Sequence, residues 1–115
     1  MKARIVVGAH YGLRDWLGQR VTALVMALYT LIVVAAVLSG AASTLDGWKA
    51  LISHGFMRLL SFLFVLSLCF HAWIGVRDIW MDYINSVGLR LTLHVLTLLA
   101  LVGYAGWATQ ILWRL

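Results

Sequence analysis

The segment from Cys69 to Tyr83, CFHAWIGVRDIWMDY, combines several residue types that could do chemistry. His71 lies inside a hydrophobic run, and the pair Asp82-Tyr83 closes the segment. An ionisable side chain is costly to place in lipid and usually faces a polar partner, a cavity or a cofactor. Two interpretations of His71 follow. It is either a neutral imidazole bonded to a neighbouring helix or an axial ligand of haem iron, for which imidazole is a common donor.

A helical arrangement would place several of these residues on one face. At about 100° per residue, His71, Gly75, Asp78 and Asp82 line up along a helix. Gly75, one turn after the histidine, would let a planar macrocycle approach the backbone, although glycine also serves ordinary helix packing in membranes. A ligating histidine also needs an acceptor for its second ring nitrogen, and the sequence does not identify that acceptor.

Three other polar residues are candidates for binding. The Tyr83 phenol could donate to a quinone carbonyl, and the Asp82 carboxylate could influence proton delivery to the quinone. The alternative is an interfacial tyrosine beside a solvated aspartate. Arg20 could bind a haem propionate or a lipid phosphate through its planar guanidinium, or it could simply anchor the chain at the cytoplasmic surface.

The remaining histidines and the single cysteine are interpreted as structural. His94 is the main rival to His71, whereas His54 and His10 fall in a connector and in the N-terminal arm. Cys69 is the one cysteine, so this chain alone forms no disulfide or multi-cysteine metal site. It is expected to pack as a small apolar residue. If two histidines hold a haem, the second is therefore expected from another subunit.

Composition places the chain in a membrane. It has 115 residues, 63% of them hydrophobic and 11% charged, with no proline and a mean hydropathy of +0.96. A soluble domain of this size could not cover so much apolar surface. The net charge of +5 comes from dispersed cations and forms no cluster for nucleic acid. No nucleotide-binding loop, paired metal-binding histidines or Ser/His/Asp set indicates a self-contained enzyme.

Three apolar runs are long enough to cross about 30 Å of hydrocarbon as helices. We therefore predict an all-α integral membrane protein with three transmembrane helices in a single domain, 1–115. A cytoplasmic arm covers 1–20, and the spans are 21–42, 59–76 and 91–113. The second span is expected to continue as a helix toward residue 83.

The charged residues predict the orientation. Three spans put the two termini on opposite sides. With the N-terminus in the cytoplasm, six cations face that side and three face the other, which the positive-inside rule favours. The six cytoplasmic cations are Lys2, Arg4, Arg14, Arg20, Arg77 and Arg90, and the other three are Lys49, Arg58 and Arg114. An N-in, C-out chain places Asp82 and Tyr83 at the cytoplasmic surface.

Two segments resemble a known family. HAWIGVRDIWMDY resembles the H-A-x-x-G-x-x-x-x-x-x-D-Y pattern of the smaller, D-type cytochrome b membrane anchor of bacterial succinate dehydrogenase, complex II. GLRDWLGQRVTALVMALY is similar to the start of the same family, G-x-x-D-x-x-x-x-R-x-T-A. The likeness is strong over residues 12–29 and 71–83.

The resemblance implies roles for four residues. His71 corresponds to an axial ligand of haem b, and thus to a ligand of the iron. Tyr83 corresponds to a tyrosine that hydrogen-bonds ubiquinone, and Asp82 to its acidic neighbour. Arg20 corresponds to an arginine near the haem propionates and the quinone.

The resemblance also implies partners and a function. The chain would pack with the larger cytochrome b anchor subunit, which supplies the second haem ligand, and would join an iron-sulfur subunit and a flavoprotein subunit in a bacterial inner membrane. It would pass electrons from the iron-sulfur subunit to ubiquinone in the tricarboxylic acid cycle and the respiratory chain, without itself reacting with succinate. The alternatives are a quinol:fumarate reductase anchor, a membrane assembly or structural protein without cofactor, and a small transporter, for which the spans offer only histidines.

Overall fold

The computed structural model of the protein describes the backbone of residues 6–115 and the side chains of residues 12–115. Lys2 and Arg4, two of the predicted cytoplasmic cations, lie outside the described residues, as does the side chain of His10. The described chain forms four α-helices and no strand: α1 (Val6–Leu38), α2 (Leu45–Ser53), α3 (Gly55–Tyr83) and α4 (Val87–Arg114).

Three of these helices are long and apolar enough to cross a membrane, which confirms the predicted fold class. The apolar parts are Gly12–Leu38, Gly55–Tyr83 and Val87–Arg114. The N-in, C-out orientation and the packing with a second anchor subunit stay predictions.

The helix bounds differ from the predicted spans, and α1 ends at Leu38, before the predicted end of the first span at residue 42. Residues 6–20 of the predicted arm are helical and continue directly into the first span. No proline interrupts this stretch, so the helix begins well before its apolar part. The second span starts earlier than predicted, at Gly55, and continues as a helix to Tyr83 as expected.

A short helix that the sequence analysis did not predict lies in the first connector. After α1, Gly40 adopts φ +90°, a left-handed conformation that glycine accepts without strain. The chain then turns into α2, where the side chain of Thr44 accepts a hydrogen bond from Gly47 N at 3.0 Å and caps the helix. α2 packs against both α3 and α4.

α3 is the central helix. It packs against α1 on one side and α4 on the other, and among the described residues α1 and α4 make no direct helix contact. At the end of the molecule that carries α2, a small core forms around Ile52, Met57 and Leu112. Near this core the Tyr29 hydroxyl of α1 and the Ser61 hydroxyl of α3 share a hydrogen bond of 2.6 Å.

At the opposite end, polar contacts join α3 to α4. Trp80 Nε1 donates to Thr97 Oγ1 at 3.0 Å, and Thr97 donates in turn to Leu93 O at 2.7 Å. Nearer the middle, the Cys69 thiol points at Leu101 O at 3.7 Å, in keeping with its predicted packing role. These contacts hold α3 against α4 between Cys69 and Trp80.

Candidate functional site

His71 lies on the α1-facing side of α3, one turn before the buried Ile74. Its Nδ1 is 3.0 Å from Thr22 Oγ1 of α1. Thr22 is buried, with 8% of its surface exposed. The sequence left open which group orients the ring, and the structure identifies it as this threonine hydroxyl.

The hydrogen bonds of Thr22 determine which partner donates. A hydroxyl has one proton, and Thr22 Oγ1 lies 2.7 Å from Gly18 O and 3.2 Å from Gln19 O in its own helix. We assign the proton to the shorter of these backbone bonds. The lone pairs of Oγ1 then face His71, so Nδ1–H donates to Thr22, and in the neutral ring Nε2 is the nitrogen without a proton.

The other ring nitrogen of His71 is not used within the chain. Nε2 makes no hydrogen bond to any residue that the structure describes. A neutral imidazole with an unprotonated Nε2 is the form that ligates a metal. The structure thus shows the bond to a neighbouring helix, and haem ligation by His71 stays a prediction.

The surface beside His71 on the same helix face is open. A Cβ placed on Gly75 would meet Gln19 Nε2 at 3.9 Å and nothing nearer, so packing inside this chain does not require glycine there. An available imidazole nitrogen one turn from a glycine fits the approach of a flat macrocycle. The described residues thus suit a haem, with His71 as a donor from this chain.

A close helix approach holds Thr22 and His71 together. Gly18, one turn before Thr22, lies so near α3 that a Cβ there would be 2.7 Å from Phe70 Cε1 and 3.3 Å from Ile74 Cδ1. Ile74 is 2% exposed. The missing side chain at Gly18 lets the two backbones come close enough for the 3.0 Å contact one turn away.

Arg20 lies on the outer part of the same helix contact. Its guanidinium carbon is 5.1 Å from the centre of the Trp16 ring, a cation–π distance. With Gln19 and Asp78 it lines a groove between α1 and α3, and it forms no ion pair with a described residue. Arg20 is two residues before Thr22, the residue that contacts His71.

An ion pair between α1 and α3 was not predicted. Arg77 Nη2 pairs with the carboxylate of Asp15, and it lies 3.6 Å from Asp78 Oδ1. The sequence signal was present, because Asp15 is the one acidic residue of the arm and Arg77 opens the second connector. Nothing in the sequence showed that residues 62 positions apart would meet.

Asp82 and Tyr83 lie apart from His71. They are the last two residues of α3, and both are exposed, Tyr83 to 77%. Eleven to twelve residues of helix correspond to about 17 Å along the axis. The structure therefore separates the four predicted site residues into two regions, His71 and Arg20 at the α1–α3 contact and Asp82 with Tyr83 at the end of α3.

His94 occupies a different environment from His71. Its ring packs edge-on against Trp73, with 5.7 Å between ring centres, and its Nε2 is buried without a partner among residues 12–115. No group of three or more His, Cys, Asp or Glu in that part of the chain could hold a metal ion by itself.

Comparison with known proteins gave two findings. Residues 2–107 match the family described as succinate dehydrogenase/fumarate reductase transmembrane subunit. The chain is also 39% identical over 102 residues to a protein of Coxiella burnetii named succinate dehydrogenase hydrophobic membrane anchor subunit, and the match covers 89% of each chain.

Proposed function

This chain belongs to the succinate dehydrogenase/fumarate reductase transmembrane subunit family, and on that premise we propose that it binds haem b and ubiquinone in a succinate:ubiquinone oxidoreductase. It is a multi-pass bacterial membrane protein and a membrane anchor subunit. The haem, the quinone and the direction of turnover are the proposal.

The observation that carries the proposal is the state of the His71 ring. Nδ1 is bonded to Thr22 and Nε2 has no hydrogen bond among the described residues. An unpaired ring nitrogen inside a membrane helix costs free energy unless a ligand or a partner satisfies it. A Cβ at Gly75, one turn after His71, would meet only Gln19 Nε2 among the described residues, at 3.9 Å, which supports the approach of a flat group on that side.

The chain's own residues then take distinct roles. Haem b, when bound, supplies a one-electron redox centre. His71 would bind its iron through Nε2, and the larger anchor subunit would supply the opposite ligand. Arg20, whose charge no described residue neutralises, would attract a propionate or the quinone region through charge-assisted hydrogen bonds.

Tyr83 and Asp82 are proposed to serve the quinone. The exposed phenol can donate a hydrogen bond to a quinone carbonyl, which stabilises negative charge as the quinone accepts electrons. Asp82 beside it can help deliver the protons that the reduced quinone takes up. The N-in orientation would put both residues where the iron-sulfur and flavoprotein subunits dock.

We propose succinate oxidation as the direction of turnover because the Coxiella burnetii relative is named a succinate dehydrogenase subunit. The family description covers fumarate reductases as well. Side-by-side rates of succinate oxidation and quinol-dependent fumarate reduction in the purified complex decide between the two, and faster fumarate reduction would contradict this choice.

Replacing His71 tests the proposal directly. In the complex purified with its partner subunits, we expect a reduced-minus-oxidised b-type haem spectrum that is lost or strongly altered in His71→Ala. The matched control is His54→Ala, because His54 is an exposed residue between α2 and α3. It should leave the spectrum unchanged.

Two results would overturn the proposal. An unaltered spectrum in His71→Ala would show that His71 is not a haem ligand. A colourless wild-type complex would instead favour an assembly protein without a cofactor.

A further inference from the structure

We propose that Thr22 is a positioning residue for His71, setting the ring orientation and the electron donation of the proposed haem ligand. This inference rests on the proposed function, because it concerns the same imidazole. It adds a residue on a different helix that touches neither iron nor quinone and acts through the ring nitrogen that faces away from the metal.

The geometry leaves the Thr22 hydroxyl one role toward His71, that of hydrogen-bond acceptor. Its proton is used by Gly18 O at 2.7 Å, so toward His71 it can only accept. The contact to Nδ1 is 3.0 Å, within the range of a good N–H···O bond. A buried hydroxyl with its proton committed elsewhere thus fixes which tautomer of His71 exists and which nitrogen points outward.

The surroundings make this acceptor hard to replace. Thr22 is 8% exposed, and both helices lie in segments able to cross a membrane, where water is scarce. Without the hydroxyl, Nδ1–H would lose its acceptor, and the ring would be free to rotate about its side-chain bonds. Accepting that proton also leaves more electron density on Nε2, which strengthens its donation to a metal.

The hydrogen bond from Thr22 to Gly18 O in its own helix does not by itself explain the contact between Thr22 and His71. Thr30, two turns later in α1, makes the same type of bond, donating to Met26 O at 2.8 Å. Thr30 is exposed and has no hydrogen bond to another helix among the described residues. Thr30 is therefore a matched control that shares the local chemistry of Thr22 but not the histidine.

Redox titration of the haem in native membranes tests the role. Thr22→Val keeps the shape and removes the acceptor. Stronger donation from Nε2 favours ferric over ferrous iron, so its loss should raise the midpoint potential. A tenfold change in relative affinity, at the lower end of the effect of such partners, corresponds to about 59 mV for one electron.

The controls separate acceptor, methyl group and local helix bond. Thr22→Ser keeps the hydroxyl, so its potential and its low-temperature electron paramagnetic resonance spectrum should match those of the wild type. Thr30→Val should also match the wild type. Thr22→Ala, a second way to remove the acceptor, should shift the potential in the same direction as Thr22→Val.

The outcomes distinguish this inference from the proposed function. In one outcome, His71→Ala changes the haem spectrum, but Thr22→Val and Thr22→Ala keep the wild-type potential and resonance spectrum. The proposed role of Thr22 is then wrong, whereas His71 remains the proposed haem ligand. A shift in Thr22→Ser as large as in Thr22→Ala would contradict it as well, because packing of the methyl group would then be responsible. Failure of both acceptor-free variants to accumulate would contradict it in favour of a purely structural threonine. If His71→Ala leaves the haem spectrum unchanged, the proposed function itself fails.

Discussion

At His71 the two ring nitrogens meet different surroundings on the same helix. Nδ1 is held by a buried hydroxyl, and Nε2 has no hydrogen bond to a described residue. His71 Nε2 is also not enclosed by the described residues, unlike His94 Nε2, which is buried without a partner among them. The asymmetry is the arrangement expected of a metal ligand with one oriented nitrogen.

Tyr83 offers the residue-scale prediction for the quinone. Tyr83→Phe removes one hydroxyl from an exposed side chain at the end of α3 and should leave folding intact. Loss of one donor to a developing charge costs about 10²–10³ in rate at sites of that kind. For Tyr83→Phe we expect the rate of ubiquinone reduction to fall by at least about tenfold, but by less than at those sites. Succinate oxidation with an artificial acceptor that bypasses the membrane should be unchanged.

Tyr104→Phe is the matched control for this prediction. Tyr104 is similarly exposed, at 61%, but lies on α4 beyond the middle of that helix. It should leave both activities unaltered. Equal loss of the two activities in Tyr83→Phe, or an equal loss in Tyr104→Phe, would contradict a quinone role for Tyr83.

Residue types and local spacing sufficed to predict His71, Asp82 and Tyr83 as candidates, but not their partners. The position of His71 within an apolar run is a local signal. Thr22 carries no such signal, because threonine inside a membrane helix usually bonds to its own backbone, as it does here. Its second contact spans 49 residues along the chain and depends on how α1 and α3 cross.

Among the elements, α3 positions the site, and it approaches α1 closely at Gly18. Gly18 permits that approach, since any side chain there would meet Phe70 and Ile74. Small residues at such crossings are the usual means by which membrane helices come together without a hydrophobic driving force. The distance between Thr22 and His71 thus depends on Gly18, which has no side chain to contact either of them.

Gly18→Ala should weaken the α1–α3 contact. The added methyl group would be 2.7 Å from the Phe70 ring, which is half exposed and can turn, and 3.3 Å from the buried Ile74, which cannot. Overpacking of this kind costs about 1–3 kcal/mol, against a gain of up to about 1 kcal/mol in helix propensity. We expect the detergent-solubilised complex to lose its haem spectrum at a lower temperature than the wild type.

Gly12→Ala is the control on the same helix. Among the described residues, a Cβ at Gly12 meets nothing within 4 Å, so the expected effect is the gain in helix propensity. Its thermal midpoint should equal or exceed that of the wild type. A Gly18→Ala complex as stable as Gly12→Ala would show that the close approach does not matter.

The sequence predicted the three long helices better than it predicted the residues at which they begin and end. Hydrophobic length indicated three spans, and the polar stretch to Tyr83 was expected to stay helical, as it does. The helical arm was missed as part of α1, because polar residues give no apolar period there although they are good helix formers. α2 was missed because a helix of nine residues depends on its cap and its packing more than on its own propensity.

At the scale of the whole molecule, the three long helices leave much apolar surface uncovered. The described chain measures 63 × 26 × 20 Å, and α1 and α4 reach each other only through α3. Large apolar side chains are exposed along all three, among them Leu31, Leu59 and Val102. Lipid can cover such surfaces, and so can a second anchor subunit, which the proposed pair of haem ligands requires.

The orientation can be tested by placing single cysteines at the two ends. In a Cys69→Ser background, we expect Leu115→Cys to react with a membrane-impermeant thiol reagent in spheroplasts. Asn85→Cys, in the connector between α3 and α4, should react only after the membrane is opened. The physical reason is the excess of cations on the Asn85 side of the spans.

Cys69→Ser alone is the control, and it should stay unlabelled in both conditions. The reverse pattern, with Asn85→Cys labelled in intact spheroplasts, would place Tyr83 on the outer surface. That result would separate the proposed quinone site from the soluble subunits and contradict electron transfer at that end of α3.

The most direct measurement for the central claim is a density map of the intact complex, extracted with its lipids and solved at a resolution that separates side chains. We expect a porphyrin whose iron is ligated by His71 Nε2, with the Thr22 hydroxyl on Nδ1 and the second ligand from a neighbouring subunit. A map in which the ring of His71 contacts only protein atoms, with no porphyrin near Gly75, would contradict it.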